Sequence, residues 1–332
     1  MKSRPIAIRR QRGAALLAAM LTVALVATFA AASLWQQWRG IEVEGAERSR
    51  VQSSWVLTGA LDWARLLLRE DARSGGPDHL GEPWAVPLQE ARLSSFLAAD
   101  QNNNTADSGP EMLEAFLSGQ IIDLQSLLNV NNLVDNGAIS EPDVRAFERL
   151  FELLALPPAQ LDTLVENLRF ARDASPSNRS APQAPLAPQR VEELVWLGLP
   201  VATIAALQPF ITMLPAHTTV NLNTAPAEVI YAAMDGIGMA DAQRLVSERE
   251  RTPFRTLEDA KRLVSTSGDA PLTVNQISIG TRFFEVRSRL RLDKLVVEER
   301  AVLQRDGLNV VVLSRERGIP DATALAQAAS KR

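Results

Sequence analysis

The chain has 332 residues, 46% of them apolar and 22% charged, a balance that supports a buried core and excludes a wholly disordered or collagen-like polymer. It contains no cysteine and two histidines, His79 and His217, which removes disulfides, thiolate nucleophiles, cysteine zinc sites and most imidazole chemistry. Five cations at the start, Lys2, Arg4, Arg9, Arg10 and Arg12, hold the net charge at −4; without them the remainder carries −9 and is a poor partner for nucleic acid.

Ala14 to Ala32 is an uninterrupted apolar run without charge, Gly or Pro, long enough to cross a hydrocarbon layer of ~30 Å as a helix. The lipid bilayer is therefore the first expected partner. The cationic flank predicts a cytoplasmic amino end, Trp35 and Trp38 suit the opposite interface, and the body beyond them is exported. A cleaved secretory signal is the alternative, although its apolar core is usually about 7 to 15 residues with the cut on the far side. Past the membrane, Val56, Leu57, Ala60, Leu61, Trp63, Ala64, Leu67 and Leu68 recur at spacings of three and four and form one apolar stripe. A helix from Ala14 to about Arg69 measures about 84 Å at 1.5 Å per residue. Gly40, Gly45 and Gly59 are its potential bends.

Arg73 to Pro87, dense in Gly and Pro, predicts a loop with one short strand around Trp84. From Leu93 to about Arg262 the apolar period is helical, over Met112–Leu117, Val144–Leu156, Leu161–Phe170, Val191–Ile204, Ala227–Met234 and Ala240–Glu248. The Pro-rich segment Ala174 to Arg190 divides this region into two expected lobes. Each lobe carries an Asn motif, Asn129-Val130-Asn131-Asn132 and Asn221-Leu222-Asn223-Thr224, whose side chains stop one element and cap the next. Ser140-Glu141-Pro142-Asp143 suits a helix start with Ser140 as cap. Phe284, Val286, Leu290 and Leu292 then alternate with Glu285, Arg287, Arg289 and Arg291 as a half-buried strand. Two further strands, Leu295–Gln304 and Leu308–Arg315, turn through Asp306-Gly307, and Gly318 to Arg332 is a loose tail. The strands form an antiparallel sheet on the apolar stripe of the helix.

Gly236-Ile237-Gly238 between two helical segments resembles the turn of a helix-hairpin-helix module, whose backbone amides can hold a phosphate. From Ala225 to Val264, however, six cations meet seven anions, so the hairpin is read as structural. A membrane-tethered DNA receptor using Gly236, Ile237 and Gly238 is the alternative function. Asp100, Asn102, Asn104, Ser108 and Glu111 occupy oxygen-ligand positions of a calcium loop, with Thr105 where an EF-hand has Gly. Calcium on Asp100, Asn102, Asn104 and Glu111 is the one cofactor candidate, set against a solvated Asn-rich loop. Neither a nucleophile triad nor a phosphate loop can be assembled, and both histidines read as structural.

Arg12-Gly13-Ala14 before the apolar run resembles the processing site of type IV prepilins and pseudopilins. The resemblance implies that prepilin peptidase cuts after Gly13 and methylates the new Ala14 amine. Members of that superfamily mostly carry Glu at the fifth mature position, where this chain has Ala18. A carboxylate there would pair with a neighbouring subunit's terminal ammonium. Its absence suits the leading end of a fibre. With Trp55–Asp71, NVNNLV and LPAHTTVNLNTAPAEVIYAAM in that order, the chain resembles the minor pseudopilin K family of type II secretion. The family implies a non-enzymatic α+β protein, with a long helix on a small antiparallel sheet and a large inserted all-α domain. It also implies a place at the pseudopilus tip with minor pseudopilins I and J. The expected parts are a leader (1–13), the long helix (14–72), a loop and short strand (73–92), a first helical lobe (93–173), a linker (174–190), a second, hairpin-containing lobe (191–276), strands (277–317) and a tail (318–332). The chain departs from the family in one respect: the acidic, aromatic stretch associated with calcium is missing, since Asn167 to Arg190 holds Asp173 as its one acid.

Overall fold

A computed structural model describes residues 12–93, 115–173, 184–264, 276–292 and 295–318. The first element, α1 (Arg12–Ser74), runs through Gly40, Gly45 and Gly59 without a break. A Cβ at any of the three would meet nothing within 4 Å. The chain divides after Val56 into two compact units. In the first unit, Ala14 to Arg48 are all exposed, and the most apolar window reaches a mean hydropathy of 2.3 with none of it buried. Such a surface is costly in water and suited to lipid or to other apolar helices.

The second unit begins inside the same helix. Leu57, Leu61, Ala64 and Leu68 fall at i, i+4, i+7 and i+11 and are buried, as the periodicity predicts. Trp63, on the flank of the stripe, stays 46% exposed. Gly75 and Gly76 take φ of 67° and 120°, which ends the helix at no steric cost. Trp84 is buried in a 3-10 turn (Pro83–Ala85) rather than in the expected strand. Pro83 has no N–H for a ladder, and the Trp84 indole donates to Glu82 at 2.7 Å. The strand follows as β1 (Leu88–Arg92).

The next element corrects the helical reading of Met112–Leu117 and, with it, the 93–173 boundary. Residues 94–114 lie outside the described residues, and Ala115–Asp123 is a strand, β2. It belongs to the sheet and not to a helical lobe, because Ala115 and Leu117 face the core with period two. Beside β1 it pairs with a remote strand, β3 (Phe283–Leu292), and the sheet continues through β4 (Leu295–Asp306) and β5 (Asn309–Gly318). The sheet is antiparallel throughout, in the order β1-β2-β3-β4-β5, so the whole helical region is an insertion between β2 and β3. Asp306 pairs with Asn309 across Gly307, at φ 55°, which is the hairpin expected from Asp-Gly. Phe284, Val286, Ala301, Leu303 and Val310 turn inward onto Leu61, Ala64, Leu68 and Trp84.

The insertion contains α2 (Glu141–Leu153), α3 (Pro158–Arg172), α4 (Val201–Leu207), α5 (Ala227–Ala233), α6 (Met239–Arg251) and α7 (Leu257–Lys261). Val191–Ile204 is not one helix. Val191–Leu197 is 3-10, and Gly198 at φ 89° followed by Pro200 breaks it before α4. The two expected lobes share a single core, which joins Leu133, Phe147, Leu150 and Leu164 to Leu194, Leu222, Ile230 and Leu245. The apolar faces on either side of the Pro-rich segment cover one another, so that segment separates chain but not domains. Parallel pairs at Leu128–Asn129 with Ile211–Thr212, and Val220–Asn221 with Ile277–Ser278, cross-link the insertion.

Candidate functional site

Gly13 and Ala14 lie in the first turn of α1, and Ala14 and Ala18 are exposed. Position 18 therefore presents a methyl group at the helix surface. The calcium candidates Asp100, Asn102, Asn104 and Glu111 lie outside the described residues.

The helix-hairpin-helix turn forms as expected between α5 and α6, with Gly236 at φ 80° and Gly238 as N-cap. Its electrostatics oppose a phosphate. The Gly238 amide already donates to the Asp241 carboxylate at 3.4 Å, and Asp235 stands at the other side of the turn, paired with Arg149 at 3.3 Å. Arg249 is turned inward, donating to the Leu222 carbonyl, and burial lowers its pKa to about 10. Asp241 thus occupies one of the amides that a phosphate would need, and Asp235 adds a second negative charge beside the turn.

The first Asn motif binds the segment that leads to the second, more than eighty residues on. In each, the first Asn accepts from the amide two residues on, Asn129 from Asn131 at 3.1 Å and Asn221 from Asn223 at 3.0 Å. The first motif then grips the segment leading to the second: Asn131 donates to Leu214, Asn129 to Ala216 and Asn132 to Thr218, at 2.7 to 2.8 Å. Asn223 closes a two-way pair with the Phe254 backbone at 2.9 and 3.0 Å. At the α2 start the hydroxyl of Ser140 donates to the Asp143 carboxylate instead of capping an amide. His217 Nε2 lies 3.3 Å from the same carboxylate, and His79 Nδ1 accepts from Gly81, so both histidines have structural partners.

A polar seam joins the insertion to the sheet. Arg305 on β4 is bound by Asp71 of α1 and by Asp78, donates to the Thr281 carbonyl at 3.0 Å, and lies over the Phe284 ring. Asp78 accepts from the Thr281 amide at 2.7 Å, while its carbonyl accepts from Asn221 at 3.1 Å. At the end of β2, Asp123 is fully buried and accepts from Gln125 N, Asn221 Nδ2 and Thr224 Oγ1 at 2.6 to 2.9 Å. Gln125 bridges from the Arg282 amide to the Thr219 carbonyl. Burial raises the pKa of Asp71, Asp78 and Asp123, with the Glu82 charge adding to it at Asp71. For Arg305 burial acts downward, but Asp78 and Asp71 outweigh it and its pKa is raised. Carboxylate oxygens of Asp71, Asp78 and Glu82 lie within 4.8 Å of one another, with the Arg305 guanidinium as their counter-charge. Thr281 and Asn221 of the insertion are hydrogen-bonded to this charged cluster and tie the insertion to it.

Comparison with known proteins covers both parts of this arrangement. The model of type II secretion system protein K matches residues 220–281, and that of its first domain matches residues 126–216. Type II secretion system protein K of Pseudomonas aeruginosa is 30% identical over 93% of this chain and 94% of its own length. The chain belongs to the type II secretion system protein K family. The protein of that name from Pectobacterium carotovorum is 25% identical over 93% of this chain and 97% of its own. A chain of the GspK-GspI-GspJ complex of enterotoxigenic Escherichia coli shares the fold, with a TM-score of 0.58 at 17% identity, covering 83% of this chain and 99% of that one. The family is a structural component of secretion. Both of its matched segments lie in the insertion. They part at residues 217–219, where Thr218 and Thr219 are stitched to Asn132 and Gln125, and not at the Pro-rich segment. The Asn motifs carried the resemblance in the sequence. The seam residues Asp71, Asp78, Asp123 and Arg305 carried no local signal, since Arg305 is 234 residues from Asp71.

Proposed function

We propose that this protein is a non-enzymatic minor pseudopilin at the tip of the type II secretion pseudopilus. The observation that carries the reading is an apolar helix that opens on Arg12-Gly13-Ala14 and lacks a carboxylate at Ala18. Prepilin peptidase cleaves after Gly13 and methylates Ala14. The helix then waits in the inner membrane with its amino end cytoplasmic and its body periplasmic. Once in the fibre, Ala18 has nothing with which to neutralise the ammonium of a subunit ahead, so the protein takes the first place. Minor pseudopilins I and J are its partners, a reading supported by the solved complex of its structural relative. The insertion, held to the sheet by the seam, forms a rigid cap that starts or limits the fibre.

Mass measurement of the amino terminus tests the processing step. Gly13→Ala, or a bulkier residue, leaves the leader attached; normal cleavage of that variant would sink the prepilin reading. Co-purification of the full chain with the I and J proteins tests the assembly.

A further inference from the structure

A short hairpin leads into α2. Val134–Asp135 pairs with Ala138–Ile139, and Asn136 and Gly137 form the turn between them. Both take positive φ, 49° and 82°, as this tight connection requires. The ladder has two residue pairs against nine in the hairpin at Gly307, so its tip opens by a local event that leaves the core in place. Asn136 and Gly137 are exposed, and a Cβ at Gly137 would meet nothing within 4 Å. The Asn136 carboxamide donates to the Asp135 carboxylate at 3.0 Å, whereas the Gly137 amide makes no hydrogen bond among the described residues. A peptide nitrogen without a hydrogen bond is free to turn on the side chain that precedes it. Asn136 is also the one Asn of the chain that is followed by Gly; at every other, a side chain crowds the approach to that nitrogen.

We propose that Asn136-Gly137 is a self-modifying site at which Asn136 is converted, through a cyclic imide, into isoaspartate and aspartate. The Gly137 nitrogen gives its proton to solvent base and attacks Asn136 Cγ. As the N–Cγ bond forms, the Cγ–Nδ2 bond breaks, and Nδ2 leaves as ammonia with a proton returned to it. Water then opens the imide at either carbonyl, its hydroxyl going to the carbon and its hydrogen to the nitrogen. Opening at Cγ gives aspartate. Opening at the backbone carbonyl carbon gives isoaspartate, whose main chain runs through Cγ and is one carbon longer. The turn borders a cavity of about 400 Å³ that Asp135, Arg172 and His217 also line. Arg172 Nη1 is held there by the carbonyls of Asn131 and Val134, both at 2.9 Å. Either product puts a new carboxylate beside this fixed cation, and isoaspartate shifts the ladder next to the Ser140 amide, which donates to the Leu133 carbonyl at 3.0 Å.

The test holds the full-length chain, in detergent, in mildly alkaline buffer made with heavy-oxygen water, and maps its peptides by mass and by separation of the two acids. The peptide with Asn136 gains the mass of one amide-to-acid exchange, takes its new oxygen from water and yields isoaspartate in excess of aspartate. Peptides with Asn131, Asn223 and Asn309 stay unchanged over the same time. Hydrogen exchange at the Ser140 amide quickens in the isoaspartate form. Asn136→Ala abolishes the change, and Gly137→Ala, which sets a Cβ beside the attacking nitrogen, slows it by about tenfold or more. The urea midpoint of each variant verifies the fold. Direct hydrolysis of the carboxamide cannot make isoaspartate, so the wild-type products decide without any variant. Aspartate alone at position 136, or an Asn136 that outlasts the other asparagines, overturns the proposal.

Discussion

Arg305 pairs with the carboxylates of half-buried Asp71 and buried Asp78, which make no other ion pair among the described residues. Replacing it with Met keeps much of the volume and strands both acids. The expected cost is about 3–5 kcal/mol, read as a lower urea midpoint of the full chain. The same acids set an unusual pH response. Asp71, Asp78 and Asp123 have folded pKa values above the ordinary 3.8, so above that value the native state binds more protons than the unfolded chain. Their contribution therefore falls as pH rises through the window and returns on acidification. Asp259 and Glu193, half-buried at the surface and lowered by bonds to Thr256 and Gln189, act oppositely at lower pH and weakly. Acidification from neutral pH toward the ordinary carboxylate value of 3.8 should raise the urea midpoint, and Asp123→Asn should flatten the rise. A midpoint that is constant or falling over that interval contradicts the assignment. None of this was legible in the sequence, because a pKa set by burial depends on neighbours brought together by the fold.

Among the elements, α1 was the most legible, since four apolar residues at helical spacing can share only one face. Leu61→Ala or Leu68→Ala should cost about 2–5 kcal/mol in denaturant titration, with Trp63→Ala, on the exposed flank, costing less than either. The strand β2 was misread because Ala, Phe and Leu in a short run fit either period, and remote pairing with β3 decided between them. Gly198 broke an expected helix for a local reason, and it is a sensitive site. An alanine there would carry φ 89° with its Cβ 3.3 Å from Thr163, and the expected loss is about 1 kcal/mol or more. The Asn motifs were legible as caps and not as clasps. Asn223→Ala leaves both the amide and the carbonyl of buried Phe254 without partners, a loss of about 2–4 kcal/mol in the same titration.

For the whole molecule, the apolar helix is the part that an anchor alone does not explain. Exchanging Ala14–Ala32 for an unrelated transmembrane segment should keep the body in the membrane fraction and abolish its support of secretion, scored by exoprotein release. Full secretion with the exchanged segment would reduce the helix to a tether. The sequence by itself determined the membrane-length helix and the family, because each depends on residues adjacent in the chain or spaced by one helical turn. Only the tertiary structure decided that the insertion is one body with one core, that its hairpin turns Asp241 toward the Gly238 amide, and that charges more than two hundred residues apart pair where Thr281 and Asn221 join the insertion to the rest. The physical reason is range: periodicity and capping act within a few residues, whereas burial, charge pairing and strand partnership depend on which distant segments exclude water from one another.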